Sequence, residues 1–160
     1  MIQIKEVIHP DEFEKGKNIF REYAQELPID LSFQDFEKEL KDIEKQYSRP
    51  EGVLFIAYDG EGKTVGCFGI RKWAESICEL KRMYINKSYR KKGIGKRFMS
   101  KSIEEAKALG YEKMRLDTLP SMHSAIKLYQ KYGFYEIEPY RFNPIQGTKY
   151  FEVNLSLHSL

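Results

Sequence analysis

Cysteine is scarce in this chain of 160 residues, which contains only Cys67 and Cys78. Two cysteines cannot form the disulfide framework of a small secreted domain or a four-cysteine metal site. Both lie in strand-like apolar runs, so we expect buried free thiols in a reducing compartment. Their symmetric placement about a hairpin centred near Lys72–Trp73 leaves a cross-strand pair as the alternative.

Long apolar runs are also missing, and histidine is rare. No apolar segment approaches the roughly 20 residues that a membrane-spanning helix needs, and the first residues lack the profile of a signal peptide. We therefore expect a cytoplasmic protein without a membrane partner. His9, His123 and His158 are too scattered to bind a metal. The length predicts one domain, residues 1–160, and no internal repeat or low-complexity segment contradicts it.

Acidic residues are absent from one segment, Lys81–Lys101, which contains nine lysines and arginines. The chain as a whole has a net charge of only +3, so the remainder is mildly acidic. The segment reads as a strand, a short basic turn and the glycine-rich start of a helix. Unpaired N–H groups and the positive dipole end make a helix N-terminus suitable for phosphate, and glycines permit close approach. We predict an anion site there, with a solvated basic helix end as the alternative.

Two common phosphate-binding motifs do not fit this loop. The P-loop pattern G-x-x-x-x-G-K-[ST] fails because Arg90 stands five residues before Gly95, where its first glycine belongs. The dinucleotide pattern G-x-G-x-x-G fails at Phe98. What remains is Arg90-x-x-Gly93-x-Gly95, after a strand and before an amphipathic helix. This pattern resembles the pyrophosphate loop of the GNAT superfamily of N-acetyltransferases, which bind acetyl-coenzyme A.

Apolar periodicity predicts an alternation of strands and helices along the whole chain. The predicted strands are Met1–Ile8, Val53–Tyr58, Thr64–Arg71, Ser76–Ile85, Tyr111–Thr118, Tyr135–Tyr140 and Thr148–Leu155, with Trp73 in a turn. The predicted helices are 11–27, a second helix opened by a Ser32/Asp35 capping box, a third from the glycine loop to Gly110, and 123–132. The second helix has a core stripe of Phe33, Phe36, Leu40, Ile43 and Tyr47. We expect an α+β (α/β/α) chain with a mixed, mostly antiparallel sheet flanked by helices.

That order of elements is the order of the GNAT fold, so the resemblance covers essentially the whole chain. The segment from Ala125 to Phe134, AIKLYQKYGF, also resembles the A-I-x-L-Y-x-x-x-G-F segment of the superfamily. The resemblance implies an N-acetyltransferase that moves the acetyl group of acetyl-CoA to a primary amine by direct attack. The acceptor is a small molecule or a protein, the enzyme is a monomer or homodimer, and no metal takes part. A catalytically silent domain that senses acyl-CoA is the alternative.

The same resemblance implies where the cofactor binds. Main-chain groups of a bulged strand hold the pantetheine arm and polarise the thioester carbonyl, and the glycine loop holds the pyrophosphate. The implied cofactor-binding residues are Met83, Tyr84, Ile85, Arg90, Lys91, Lys92, Gly93, Ile94, Gly95, Lys96 and Ser124. Met122 stands where relatives often have a pantetheine-binding asparagine, so that side-chain contact is either absent or supplied by His123 or Ser124.

Catalytic roles follow from the same comparison. Glu79 matches by position the general base of histone-type members, and Tyr129 matches the tyrosine that protonates the departing thiolate. The alternatives are a glutamate paired with Lys81 or Arg71 and a core tyrosine.

Three further residues, Asp117, Tyr140 and Asn143, fall near the expected acceptor cleft. Asp117 suits an ammonium group or, as the alternative, a stabilising role in a helix or turn. Nucleic acid is not expected as a partner, because the basic residues concentrate in one loop rather than a long stripe.

Overall fold

A computed structural model describes residues 1–156, apart from the side chains of Phe33 and Gln34. Residues 157–160, including His158, lie outside the described residues. The strands are β1 (Gln3–Glu6), β2 (Val53–Tyr58), β3 (Thr64–Ala74), β4 (Ile77–Ile85), β5 (Lys113–Thr118), β6 (Tyr135–Ile137) and β7 (Lys149–Asn154). The helices are α1 (Pro10–Glu26), α2 (Phe36–Lys41), α3 (Ile43–Gln46), α4 (Ile94–Ala108) and α5 (His123–Lys131).

The strands form one sheet in the order β1-β2-β3-β4-β5-β7-β6. Only β4 and β5 are parallel, and every other neighbouring pair is antiparallel. Helices cover both faces, because alternate strand residues are apolar on each side. Phe98 and Ile103 of α4 pack on one face, and Phe13 and Phe20 of α1 pack on the other. The predicted fold class is confirmed.

The predicted second helix is broken into three pieces. Asp30, not Ser32, opens it: the Asp30 side chain accepts a hydrogen bond from the Ser32 N–H at 2.9 Å and starts a 3₁₀ turn. Asp35 then takes a left-handed conformation, with φ of 54°, which ends that turn before α2. The capping-box prediction is wrong because a closer aspartate takes the cap. The core stripe holds at Leu40, Ile43 and Tyr47, which are buried; the Phe33 side chain lies outside the described residues.

The hairpin of β3 and β4 is longer than predicted. β3 continues to Ala74, so Trp73 lies in the strand rather than in the turn. Cys67 therefore pairs with Tyr84 across the ladder, and Cys78 pairs with Lys72. The two cysteines belong to the cores on opposite faces of the sheet. Both are buried free thiols, as predicted, and the cross-strand pair is wrong.

A bulge interrupts the pairing of β4 with β3. Lys81 faces Gly69 and Tyr84 faces Cys67, so two residues of β4 stand opposite one residue of β3. Arg82, inside this bulge, has a φ of 58°, a left-handed conformation that costs an ordinary residue roughly 1–2 kcal/mol. The bulge bends β4 at the middle of the sheet.

Glu39 of α2 holds Arg82 in the bulge. Arg82 Nη2 donates to Glu39 Oε1 at 2.6 Å and Arg82 Nε donates to Glu39 Oε2 at 3.1 Å, and both residues are buried. Tyr47 donates a further hydrogen bond to the same carboxylate at 2.7 Å. Burial alone would raise the pKa of Glu39, but the charge and hydrogen bonds of Arg82 outweigh it and lower that pKa to about 2. The pair therefore stays ionised and anchors α2 to the bulge.

We expect Glu39→Gln to lower the free energy of unfolding by about 3–5 kcal/mol, because it leaves the Arg82 charge buried without its counterion. Glu37→Gln, an exposed change on the same helix, serves as the control and should change stability by no more than about 0.5 kcal/mol. Urea denaturation measures both. Equal, small losses for the two variants would contradict a structural role for the pair.

Candidate active site

A cleft opens where β4 and β5 diverge. Their pairing covers only Ile77–Glu79 with Lys113–Arg115, although both strands continue beyond it. The cleft holds about 740 Å³ of empty space, part of it open to solvent. Its walls come from both strands, from the segment after α1, from α5 and from the β6–β7 loop. The lining residues used below are Lys81, Arg82, Met83, Asp117, Met122, Ala125, Tyr129 and Asn143.

The glycine loop leads from β4 into α4. Gly93 caps the helix with a φ of 84°, a conformation that favours glycine, and Lys91 just before it has a φ of 64°. No heavy atom lies within 4 Å of the position that a Gly93 Cβ would occupy. The described part of the chain therefore leaves space beside Gly93 at the start of α4. Lys91, Lys92 and Lys96 are exposed around it, so the loop has the charge and geometry of an anion site.

Arg90 braces this loop through its side chain. Its Nε donates to the Ile85 carbonyl at 2.8 Å, and its Nη2 donates to Glu26 of α1 at 3.0 Å. The guanidinium also lies over the Tyr84 ring, 5.9 Å from the centroid. These contacts connect the end of β4 to α1. The exposed lysines, rather than Arg90, are therefore the cations available to contact a ligand directly. Arg90 is thus placed as a support of the predicted site.

The side chains of the other predicted cofactor-binding residues in this region pack within the protein or lie outside the cleft. Ile94 is buried, so only its backbone N–H faces the loop. A Cβ at Gly95 would lie 3.2 Å from Leu128 Cδ2, so glycine there allows α5 to approach α4. Tyr84 points away from the cofactor side and donates to Glu22 at 2.7 Å. Ser124 is exposed at the start of α5 and does not line the cleft, whose wall there is Met122 and Ala125.

Glu79 is fully buried between cations. Arg141 Nη2 lies 2.7 Å from both carboxylate oxygens, Arg71 Nε donates at 3.1 Å and the Tyr140 hydroxyl donates at 2.9 Å. Trp73 covers Arg141, whose guanidinium is 4.8 Å from the centre of the indole ring. Both oxygens of Glu79 are thus engaged by protein donors, and the residue does not line the cleft. These contacts favour the ion-paired alternative, with Arg71 as one partner and Arg141 as another.

Lys81 and Asp117 lie close together in the lining of the cleft. Lys81 Nζ lies 3.8 Å from Asp117 Oδ1, and the side chains are 4% and 7% exposed. Burial and the nearby Arg82 charge lower the pKa of Lys81 to about 8, against the opposing effect of Asp117 and Glu79. Asp117 Oδ2 is buried and has no hydrogen-bond partner among the described residues. The sequence suggested Lys81 only as an alternative ion-pair partner of Glu79, not as a residue of the cleft. Its two-residue spacing from Glu79 on β4 was the available signal.

Residues 16–134, more than half of the chain, match the acetyltransferase (GNAT) family. This chain belongs to that family. Over 156 residues it is 33% identical to an uncharacterised N-acetyltransferase from Schizosaccharomyces pombe, a match that covers 97% of this chain and 96% of the relative. N-acetylaspartate synthetase from Xenopus tropicalis is 36% identical over 97 residues, which cover 60% of this chain and 36% of that protein.

A solved structure shows the same fold over the full length of this GNAT domain. The crystal structure of a GNAT-family acetyltransferase from Staphylococcus aureus Mu50 superposes with a TM-score of 0.78 at 26% identity, covering 97% of this chain and 99% of that one. The family and its N-acetyltransferase relatives identify this protein as an acetyltransferase. Within residues 1–156, no helix combines the length and apolarity that crossing a membrane requires.

Tyr129 lies in the wall of the GNAT cleft, on α5. It is buried and packs against Phe134 and Phe151, with ring centroids 5.8 and 6.4 Å away. Burial raises the pKa of its phenol well above the ordinary value, with smaller contributions from Tyr23 and Asp117. The hydroxyl therefore stays protonated at neutral pH, which is the state that a general acid needs.

The lowered pKa of Lys81 predicts a pH-dependent stability. An unfolded lysine has a pKa near ~10.4, so between about pH 8 and pH 10 the unfolded chain holds a proton that the folded chain has lost. Lys81 should therefore contribute a term to the free energy of unfolding that rises with pH in this window, by at most about 1.4 kcal/mol per pH unit. Burial raises the pKa values of Cys67 and Cys78 and adds slopes of the opposite sign, so the test is the difference between variants. In denaturation at several pH values, the slope of Lys81→Met should be less positive than that of the wild type. Lys113→Met, at a more exposed lysine, should keep the wild-type slope; an equal slope in all three proteins would refute the assignment.

Proposed function

We propose that this protein transfers the acetyl group of acetyl-CoA to a primary amine of a small molecule or protein, by direct attack within the β4–β5 cleft. The observation that carries the proposal is that β4, whose residues Lys81–Met83 line the cleft, leads directly into the basic glycine loop at the N-terminus of α4. A ligand with a polyanionic end and a long thin arm fits this arrangement. The proposal includes a cytoplasmic location, as either a monomer or a homodimer.

The phosphates of acetyl-CoA are proposed to bind at the glycine loop. Backbone N–H groups at the start of α4 would face them, and Lys91, Lys92 and Lys96 would add positive charge. The pantetheine arm would run along the edge of β4 near Met83, where β5 no longer pairs with it. A main-chain N–H there would polarise the thioester carbonyl, an effect worth roughly 3–4 kcal/mol in comparable acyl transfers.

Tyr129 is proposed to protonate the departing thiolate. The acceptor ammonium first releases one proton to solvent, and the free amine then forms the N–C bond as the C–S bond breaks. Tyr129 gives its proton to sulfur and recovers one from the new amide nitrogen, so the products are amide, CoA thiol and one released proton. The buried position and raised pKa of Tyr129 support this role.

Glu79 is proposed to hold the β6–β7 loop in place at the cleft rather than to act as the general base. Its carboxylate receives donors from Arg71, Tyr140 and Arg141, of which the last two belong to the β6–β7 loop. That loop also places Asn143 in the cleft wall. The predicted substrate-binding role of Tyr140 would then be indirect, whereas Asp117 and Asn143 line the acceptor space directly.

Gly93→Asp should abolish acetyl-CoA binding, because it adds a carboxylate at the phosphate position and strains a φ of 84°. Gly110→Asp is a matched control at the other end of α4, with a φ of 92° and equally open space. It carries the same strain and charge away from the cleft. Calorimetry should show that Gly93→Asp loses acetyl-CoA binding and that Gly110→Asp retains it. Arg90→Glu should also lose binding, because it removes the contacts of Arg90 with Ile85 and Glu26 that support the loop. Equal affinities in both glycine variants would refute the cofactor site.

Tyr129→Phe should lower kcat by about 100-fold or more while leaving acetyl-CoA affinity nearly unchanged, since it removes only the acidic hydroxyl. Tyr135→Phe removes a hydroxyl that donates to Glu152 on the edge of the sheet, and should leave kcat intact. Steady-state kinetics and calorimetry measure the two effects. A Tyr129 variant with normal kcat would eliminate the acid role.

The acetyl acceptor is best sought by measuring thiol release from acetyl-CoA with a panel of amines. The panel should contain polyamines, aminoglycosides, amino acids and lysine peptides. Aspartate belongs in it, because one relative is named N-acetylaspartate synthetase. Turnover would establish the reaction, whereas bound acetyl-CoA with no acceptor would favour the sensor alternative.

A further inference from the structure

The acceptor side of the cleft contains one buried acid and one buried base close together. Asp117 and Lys81 are both more than nine-tenths buried, and both line the cleft. Their charged atoms are 3.8 Å apart, which is too long for a direct hydrogen bond. Within the part of the chain that the structure describes, Asp117 Oδ2 has no hydrogen-bond partner. A buried acceptor left unsatisfied costs about 1–3 kcal/mol, so a donor from a ligand would be favoured there.

The charges around this pair have a surplus of cations. Arg82 is matched by Glu39, and Arg71 and Arg141 share Glu79. With Lys81 and Asp117 included, the ion pairs among the described residues here join four cations to three carboxylates. A ligand that brought only an ammonium group would add a further positive charge to this poorly hydrated space, which is unfavourable. A ligand that brings a carboxylate along with its amino group would balance it.

We propose that the acceptor is a free amino acid, whose ammonium group binds Asp117 Oδ2 and whose carboxylate binds Lys81 Nζ. This inference rests on the proposed acetyl transfer and adds the acceptor class to it. The four charges would alternate around a small ring: Asp117, ligand ammonium, ligand carboxylate and Lys81. Because the protein charges are 3.8 Å apart, the ligand charges must be equally close. An amino group and a carboxylate on the same or adjacent carbon meet that requirement.

The arrangement disfavours other acceptors. A polyamine or a protein lysine offers an ammonium without a nearby carboxylate, and a peptide N-terminus offers a neutral amide in its place. The chemistry is the transfer described above: the bound ammonium loses one proton to solvent, its nitrogen attacks the thioester carbon, and CoA leaves as the thiol. Asp117 and Lys81 would hold the amino acid with its nitrogen toward the acetyl group.

The experiment compares acceptors that differ only in the carboxylate. Thiol release should be measured with alanine against ethylamine and with lysine against cadaverine, and mass spectrometry should locate the acetyl group on lysine. We expect kcat/KM to fall by about 100-fold or more without the carboxylate, and lysine to be acetylated on the α-amino group. An ethylamine or cadaverine rate within tenfold of its amino-acid counterpart, or acetylation on the ε-amino group, would overturn the proposal.

Two variants test the roles of Lys81 and Asp117 separately. Lys81→Met should reduce the selectivity for alanine over ethylamine by at least about tenfold, whereas a merely structural role would lower both rates together. Asp117→Asn should raise KM for both amines. Lys113→Met, whose lysine pairs with Glu152 at 3.7 Å on the same strand as Asp117, should keep the wild-type selectivity. Unchanged selectivity in Lys81→Met would overturn the inference.

Acetyl-CoA binding, measured by calorimetry on the same wild-type sample, separates this inference from the proposed function. If acetyl-CoA binds and carboxylate-free amines are preferred, the transferase stands and the amino-acid proposal fails. If acetyl-CoA binds and no amine reacts, the amino-acid proposal also fails. If acetyl-CoA does not bind, the proposed function itself fails.

Discussion

The buried ion pair of Arg82 with Glu39 is the interaction on which the rest of the site depends. Arg82 occupies a left-handed backbone position in the middle of a strand, and an ordinary residue adopts this conformation only when its surroundings hold it there. Two hydrogen bonds from its guanidinium to Glu39 provide that hold. The bulge that results bends β4, and beyond Glu79 this strand no longer pairs with β5. The cleft thus depends on a charge pair whose carboxylate comes from the short helix α2.

The buried charges continue from this pair across the acceptor face. Arg71 contacts both Glu39, at 3.8 Å, and Glu79, at 3.1 Å, and Arg141 binds Glu79 in turn. The network connects α2, the β3–β4 hairpin and the β6–β7 loop, which are distant in the sequence. Such a network is stable only when each charge is paired. It explains why a glutamate at the position of a catalytic base is occupied by two arginines.

The two halves of the site use different physics. The cofactor half relies on backbone N–H groups, a positive-φ glycine and exposed lysines, all within one continuous segment. The acceptor half relies on largely buried side chains that come from separate elements, among them β4, β5 and the β6–β7 loop. Screening by salt weakens interactions of exposed charges but affects buried pairs much less. Salt should therefore weaken the cofactor half more than the acceptor half.

The sequence by itself determined the order of elements and the glycine loop, because both are local. Apolar spacing indicates each strand and helix. The turn into α4 has a positive φ at Gly93, a conformation that favours glycine. The same local information placed Tyr129 on α5. Local patterns gave two wrong predictions. At the second helix the capping residue is Asp30 and not Ser32, and Trp73 lies in β3 and not in a turn, because the β3–β4 hairpin is longer than predicted.

Only the tertiary structure decided what the charged residues do. Glu79, Lys81 and Asp117 look alike in the sequence as polar residues alternating along strands. Folding gives Glu79 two arginine partners and leaves Asp117 with an unsatisfied oxygen beside Lys81. These differences depend on Arg141 and Glu39, which are 62 residues after Glu79 and 43 residues before Arg82. Partners at such separations follow from packing, which a reading of neighbouring residues does not reveal.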